Sequence, residues 1–258
     1  MENVIQEKFE KMGARIKVFD REGGWPTSID IRRDDRGEYF ELRSANNVNV
    51  SVVDVRPSDR HLLMMIRHED GQRGKFLCGH DERAWFVAAI PETARVANVQ
   101  DAKDALKPQA VWDAMREFGV SMNRRDHRKT AAFVRQGEWF FIPRPKFRMD
   151  VRFALRNEPI RRGAGKPHLC QRLYRTGGEV VYVNGRYPNG LTVHQFMKLP
   201  RLEQQAWDWR KMTRDAKVYV KGSIRHPDHK TIFLQEWHEV VMNTETRSRA
   251  MQHVAFLD

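Results

Sequence analysis

Only two cysteines, Cys78 and Cys170, occur in 258 residues. That is too few for a disulfide framework, and the expected compartment is the reducing cytoplasm. No uninterrupted apolar run approaches the ~20 residues that a membrane-spanning helix needs, so no membrane association is expected. The opening MENVIQEKFEKMG carries charges where a signal peptide needs an apolar centre, which argues against secretion. There is no glycine-rich phosphate loop leading into Lys-Ser/Thr, no dinucleotide fingerprint after a strand and no serine elbow. Heptad runs and the standard RNA-recognition and zinc-finger signatures are missing too. These absences remove the familiar motif-defined enzyme classes.

What is present is a folded composition, 40% apolar and 31% charged, with a net charge of +12 distributed unevenly. Residues 1–100 hold 16 Lys/Arg against 17 Asp/Glu, so the excess lies wholly in residues 101–258. Within that part, residues 121–175 contain 15 Lys/Arg and four acids, Asp126, Glu138, Asp150 and Glu158. A block this basic reads as a footprint for a polyanion, because neutralising each phosphate releases condensed counterions.

Hydropathy patterning predicts an α+β fold of mostly antiparallel strands with a few short helices, in two subdomains. Val4, Ile5, Phe9 and Met12 mark one side of an opening helix. Loops are expected at Gly23-Gly24-Trp25-Pro26 and at Asp34-Asp35-Arg36-Gly37, the second joining strands Ser28–Arg32 and Tyr39–Arg43 in a hairpin. Asn47–Val55 alternates, with Val48, Val50 and Val52 on one face. Leu62–Ile66, Phe76–Cys78 and Trp85–Ile90, separated by turn-rich segments, continue as an antiparallel meander. Asp101 is read as an N-cap, Pro108 as an interruption and Gly119 as the stop of a helical stretch. The expected organisation is a near-neutral β-rich domain over 1–100, a helical connector over 101–122 and a basic α+β domain over 123–258.

In the basic domain, strands are expected around a Gln136-Gly137 turn and over Glu179–Tyr187, Lys217–Ile224 and Thr231–Met242. Lys146–Phe153 alternates throughout and predicts a strand with Lys146, Arg148 and Arg152 as a basic stripe above an apolar underside. Pro200 is read as opening a helix with Leu202, Ala206, Trp209 and Met212 inside. The stretch Arg156 to Arg175, with Arg156, Arg161, Arg162, Lys166 and Arg172 among Pro159, Gly163, Gly165 and Pro167, reads as an extended arm able to follow a phosphate backbone. Arg124, Arg125, Arg128 and Lys129 form a second basic loop. These twelve cations are the candidate contacts to RNA or DNA. The aromatic rings interleaved with them, Trp139, Phe140, Phe141, Phe147 and Phe153, are assigned to the core rather than to base stacking.

Two further constellations carry other chemistry. His226-Pro227-Asp228-His229 packs two imidazoles and a carboxylate into a turn, with His238 on the following strand, and the combination suits a divalent metal or acid–base catalysis on a phosphodiester. The bland alternative is a polar turn whose side chains diverge. Cys78-Gly79-His80 and His168-Leu169-Cys170 each space two ligand types on one side of a strand and invite a Cys2His2 zinc site, although nothing in the sequence shows the two segments meeting. The expected function is therefore RNA or DNA binding by an accessory component of a nucleoprotein assembly, with the near-neutral half free for a protein partner. The alternative is a metal-dependent nuclease or other hydrolase using the C-terminal His/Asp cluster, and a divalent metal is implied only in that case.

Overall fold

The computed structural model describes residues 2–20, 27–44, 48–162, 165–206 and 208–248. The expected loop at Gly23–Pro26, the first residue of the Asn47–Val55 strand and Gly163 lie outside the described residues. The chain divides into two compact units, residues 1–108 together with the segment from Asn243, and residues 109–242. Among the described residues no helix is long and apolar enough to cross a membrane.

The first unit contains α1 (Glu2–Lys11), β1 (Ile16–Asp20), β2 (Ser28–Asp34), β3 (Gly37–Ser44), β4 (Val48–Arg56), β5 (His61–His68), β6 (Arg73–Asp81), β7 (Ala84–Ile90) and α2 (Val99–Ala105). The hairpin and meander follow the turn residues: β2 pairs antiparallel with β3 across Asp34 to Gly37, and β4-β5-β6-β7 form one four-stranded sheet. β1 pairs parallel with β3. The apolar run in β5 serves two cores. Leu62, Met64 and Ile66 pack with Phe9, Met12 and Phe40, whereas Leu63 packs with Leu77, Val99 and Ala102. Successive strand residues face opposite sides, so a continuous run is what a strand buried on both faces requires.

The helical connector resolves differently from its expected form. The N-cap of α2 is Asn98, whose side chain accepts from the Asp101 amide at 2.9 Å, and Asp101 instead accepts from the Ala97 amide. Three residues earlier is where the extended backbone leaves orphan amides to satisfy. Helix α2 belongs to the first unit and α3 (Gln109–Glu117) to the second, with Gly119 at φ +61° after it. After the second unit, a short turn at Thr244–Arg247 rejoins the first, where the Thr244 amide and hydroxyl donate to the last carbonyls of α2, Leu106 and Ala105.

The second unit continues with β8 (Val134–Gln136), β9 (Trp139–Pro143), β10 (Leu155–Ile160), β11 (His168–Thr176), β12 (Glu179–Val183), β13 (Leu191–Thr192), α4 (Val193–Met197), α5 (Arg201–Gln204), β14 (Arg210–Arg214), β15 (Lys217–His226) and β16 (His229–Met242). Its main sheet is antiparallel with order β10-β11-β15-β16-β9-β8, and β13-β12-β14 form a small second sheet. The inner face of the main sheet buries Trp139, Phe141, Leu173, Val218, Val220, Ile224 and Leu234. On the outer face, Phe140 and Ile142 pack beneath Val111, Ala114 and Met115 of α3.

Three expectations are corrected. Lys146–Phe153 is not a strand: Pro143 and Pro145 remove ladder donors, and the Asp150 carboxylate accepts from the Arg152 amide to close a short 3-10 turn at Val151–Phe153. The basic stripe therefore dissolves, leaving Phe153 exposed while Phe147 stacks on Tyr219 at 3.9 Å. The arm Arg156 to Arg175 is mostly sheet: Pro159 is tolerated on the edge strand β10, β11 is central, and among the described residues only 161–162 and 165–167 lie outside the two strands. The helix after Pro200 stops at Gln204 with Leu202 86% exposed. Met212 instead pairs with Val181 in the sheet, and Trp209 Nε1 donates back to the Glu203 carbonyl.

Trp139 has no exposed surface and its indole N–H finds no acceptor. Trp139→Ala is expected to cost about 3–5 kcal/mol by chemical denaturation. Leu202→Ala should stay within about 0.5 kcal/mol of the parent.

Candidate functional site

The outer face of the main sheet carries a row of cations built by register. Arg156 on β10 stands opposite Arg172 on β11, and Arg172 stands opposite Lys221 on β15. Residues directly opposite share a face with Cβ atoms about 5 Å apart, and like charges so placed repel. Arg225 lies further along β15 on the same side, opposite Leu169, and Phe233, 68% exposed, stands opposite Ser223. None of these four cations has an ion pair among the described residues. Elsewhere on this face, Phe147 lies over Tyr219 with Tyr174 and Trp237 beside it, and Arg144 is paired to Glu239 at 2.6 Å. The open part of the sheet is thus the cationic part.

The remaining expected contacts are scattered. Arg124 and Lys129 are exposed in the loop after α3, whereas Arg125 donates to the Met122 carbonyl and Arg128 is half-buried. Lys146 is exposed, Arg148 donates to the Pro145 and Phe147 carbonyls, and Arg152 is held by Asp150. Arg161 is exposed. Burial pushes the Arg162 guanidinium below its ordinary value, with Glu138 opposing the shift. Lys166 is engaged by Asp228 at 2.8 Å. Of the twelve, Arg156 and Arg172 form part of the row. Lys221, Arg225 and Phe233 complete the open face, and nothing short of the strand order marks them.

The histidines gather on the inner face. β11 and β15 are neighbours with Leu169 opposite Arg225, and β15 turns through Pro227-Asp228 so that His226 pairs with His229. This sets three imidazoles side by side: His168 and His226 have ring centroids 4.2 Å apart, His226 and His229 4.7 Å, and His168 and His229 5.7 Å. The polar-turn expectation of diverging rings is not what the backbone does. Gly137 in the β8–β9 turn has φ +58°, and a Cβ there would stand 2.9 Å from His229 Nε2, so glycine is required on both counts.

His168 is 1% exposed and neither ring nitrogen has a hydrogen-bond partner. Leaving a buried polar group unsatisfied costs about 1–3 kcal/mol. Burial, reinforced by His226 and His229 and opposed by Asp228, pushes the His168 imidazole down to about 3. His226 is lowered by burial and by His229, and its Nδ1 accepts the Asp228 amide at 3.1 Å. Burial raises the Asp228 carboxyl, but the Lys166 ammonium outweighs it and holds the group below the usual carboxylate range. Burial thus disfavours the charged form at His168 and His226.

His238 is buried further along β16, opposite Val220, with Nδ1 against the Glu236 carbonyl. Cys170 follows His168 on the inner face, where burial pushes its thiol up to about 12. Cys78 and His80 are on β6 of the first unit, the thiol fully buried and raised, the imidazole edge-on to Trp85 at 4.9 Å. Both cysteines are free. No family model, curated protein or solved structure matches the chain.

The Lys166–Asp228 pair is exposed and the Arg144–Glu239 pair largely sheltered. Lys166→Ala is expected to cost under about 1 kcal/mol, and Arg144→Ala about 2 kcal/mol or more, since it leaves a sheltered carboxylate alone. Thermal denaturation of the two variants checks the order.

Proposed function

We propose that the second unit binds the phosphate backbone of RNA or DNA through the open outer face of its main sheet, as an accessory component of a nucleoprotein assembly. The observation that carries this reading is the cross-strand row Arg156, Arg172, Lys221. A sheet gains nothing by setting three cations against one another with no carboxylate among them, and a polyanion laid across the row removes the repulsion while releasing counterions. Phe233 beside the row offers a flat apolar ring to a nucleobase. The charge-balanced first unit is left for a protein partner. Two cysteines that form no pair fit a reducing cytoplasm. The second reading, a metal-dependent nuclease or other hydrolase, draws on the convergence of His168 with His226 and His229, and divalent-dependent cleavage of the bound strand is its signature.

Titration of labelled RNA and DNA by fluorescence anisotropy at several salt concentrations is expected to show affinity falling steeply as salt rises. Arg172→Glu places an acid between Arg156 and Lys221. The fold should gain stability or hold it, while nucleic-acid affinity drops at least about tenfold and the salt slope shrinks by about 1 or more. Arg32→Glu with Arg33→Glu, in the first unit, should leave both unchanged. Equal losses in the two variants, or binding indifferent to salt, would refute the assignment.

A further inference from the structure

We infer that His168, His226 and His229 form a binding site for one first-row divalent transition-metal ion, Zn2+ by the chemistry of its donors. The site uses none of the residues of the cation row, so it stands or fails independently of the nucleic-acid reading. One ring nitrogen from each histidine lies within 4.8 Å of the others. Zinc bonds imidazole at 2.0–2.1 Å, which puts two nitrogens of a tetrahedral site roughly 3.4 Å apart. The rings must therefore draw together by up to about 1.4 Å. His226 and His229 sit on either side of a two-residue turn and are only half-buried, so rearrangement of that turn would carry them toward His168.

His168 is the second, independent pointer to a ligand. A neutral imidazole has one donor and one acceptor, and a buried one normally satisfies both. Here both are unsatisfied in a residue that is 1% exposed and aimed at two other imidazoles. A metal bond supplies the missing partner. The donor set also selects the ion: imidazoles without thiolate suit zinc and its first-row neighbours rather than magnesium or calcium, which take oxygen. Cys170 does not join: its Sγ donates to the His168 carbonyl at 3.8 Å, and it is not among the side chains whose ligand atoms converge. Asp228 is engaged by Lys166. Three nitrogen ligands leave a fourth position for water, the arrangement of open rather than closed zinc sites.

His226 gives the site a distinctive signature. Its Nδ1 accepts the Asp228 amide, so the neutral ring of the metal-free chain carries its proton on Nε2. Ligation through either nitrogen breaks that hydrogen bond, by occupying Nδ1 or by forcing the proton onto it. The Asp228 amide therefore reports the metal directly.

The test uses the full chain, stripped with chelator and dialysed, and titrated with Zn2+ by calorimetry and with Co2+ by visible absorption. Binding of one ion per chain is expected, with the d–d spectrum of a four-coordinate Co2+ site and a shifted Asp228 amide resonance. His226→Ala and His229→Ala, both on the turn and expected to fold, should each weaken binding by more than the roughly 10- to 100-fold that loss of an outer partner costs. His238→Ala, outside the cluster, should bind as the parent does. No stoichiometric binding by the parent, undiminished binding in both turn variants, or binding with an unmoved Asp228 amide would each overturn the site.

Discussion

The register of β15 between β11 and β16 is the constraint on which the second unit depends. A strand has a side-chain period of two, so its pairing decides three things together. It sends Val218, Val220 and Ile224 into the core, brings His226 beside His168 and His229, and leaves Lys221 and Arg225 outward beside Arg172. Slippage by one residue would bury the cations and expose the core, a cost no local gain offsets. The bulges near Gly222, where φ is +90°, absorb the mismatch between neighbours without moving either face.

The two faces of this sheet have opposite electrostatic characters. Outside, charge accumulates where solvent screens it, so the like-signed row costs little. Inside, burial works against charge: it pushes the His168 imidazole down and the Cys170 thiol up, and the acid opposite Cys170, Glu158, is paired with Arg175 at 2.9 Å. The imidazole cluster and the open cationic face thus lie on opposite sides of one strand set.

How legible this was depends on how local the determining interactions are. The β2–β3 hairpin, the β4 to β7 meander and the β8–β9 turn were readable because alternation and turn chemistry act within a few residues. The segment Lys146–Phe153 alternates as well as any of them, yet Pro143, Pro145 and the Asp150 cap overrule the pattern. The basic composition of 121–175 was evident, but its residues disperse, and the row forms only when β10, β11 and β15 align. His168 illustrates the limit: it lies 58 positions before His226, and only the β11–β15 pairing makes them neighbours. The Cys2His2 expectation named His168 from its spacing to Cys170, whereas the neighbours the sheet gives it are His226 and His229.

The return of the chain at Thr244 has a consequence for biogenesis. The last carbonyls of α2 are met by a residue more than 130 positions downstream, so the first unit is interrupted by the whole of the second. Domains emerging from the ribosome fold as units, N-terminal first, as synthesis proceeds at about 5–20 residues per second. Here the end of α2 must wait for the segment from Asn243 before its last carbonyls are met. The second unit, contiguous from Gln109 to Met242, has no such dependence on a later segment for its strand pairing.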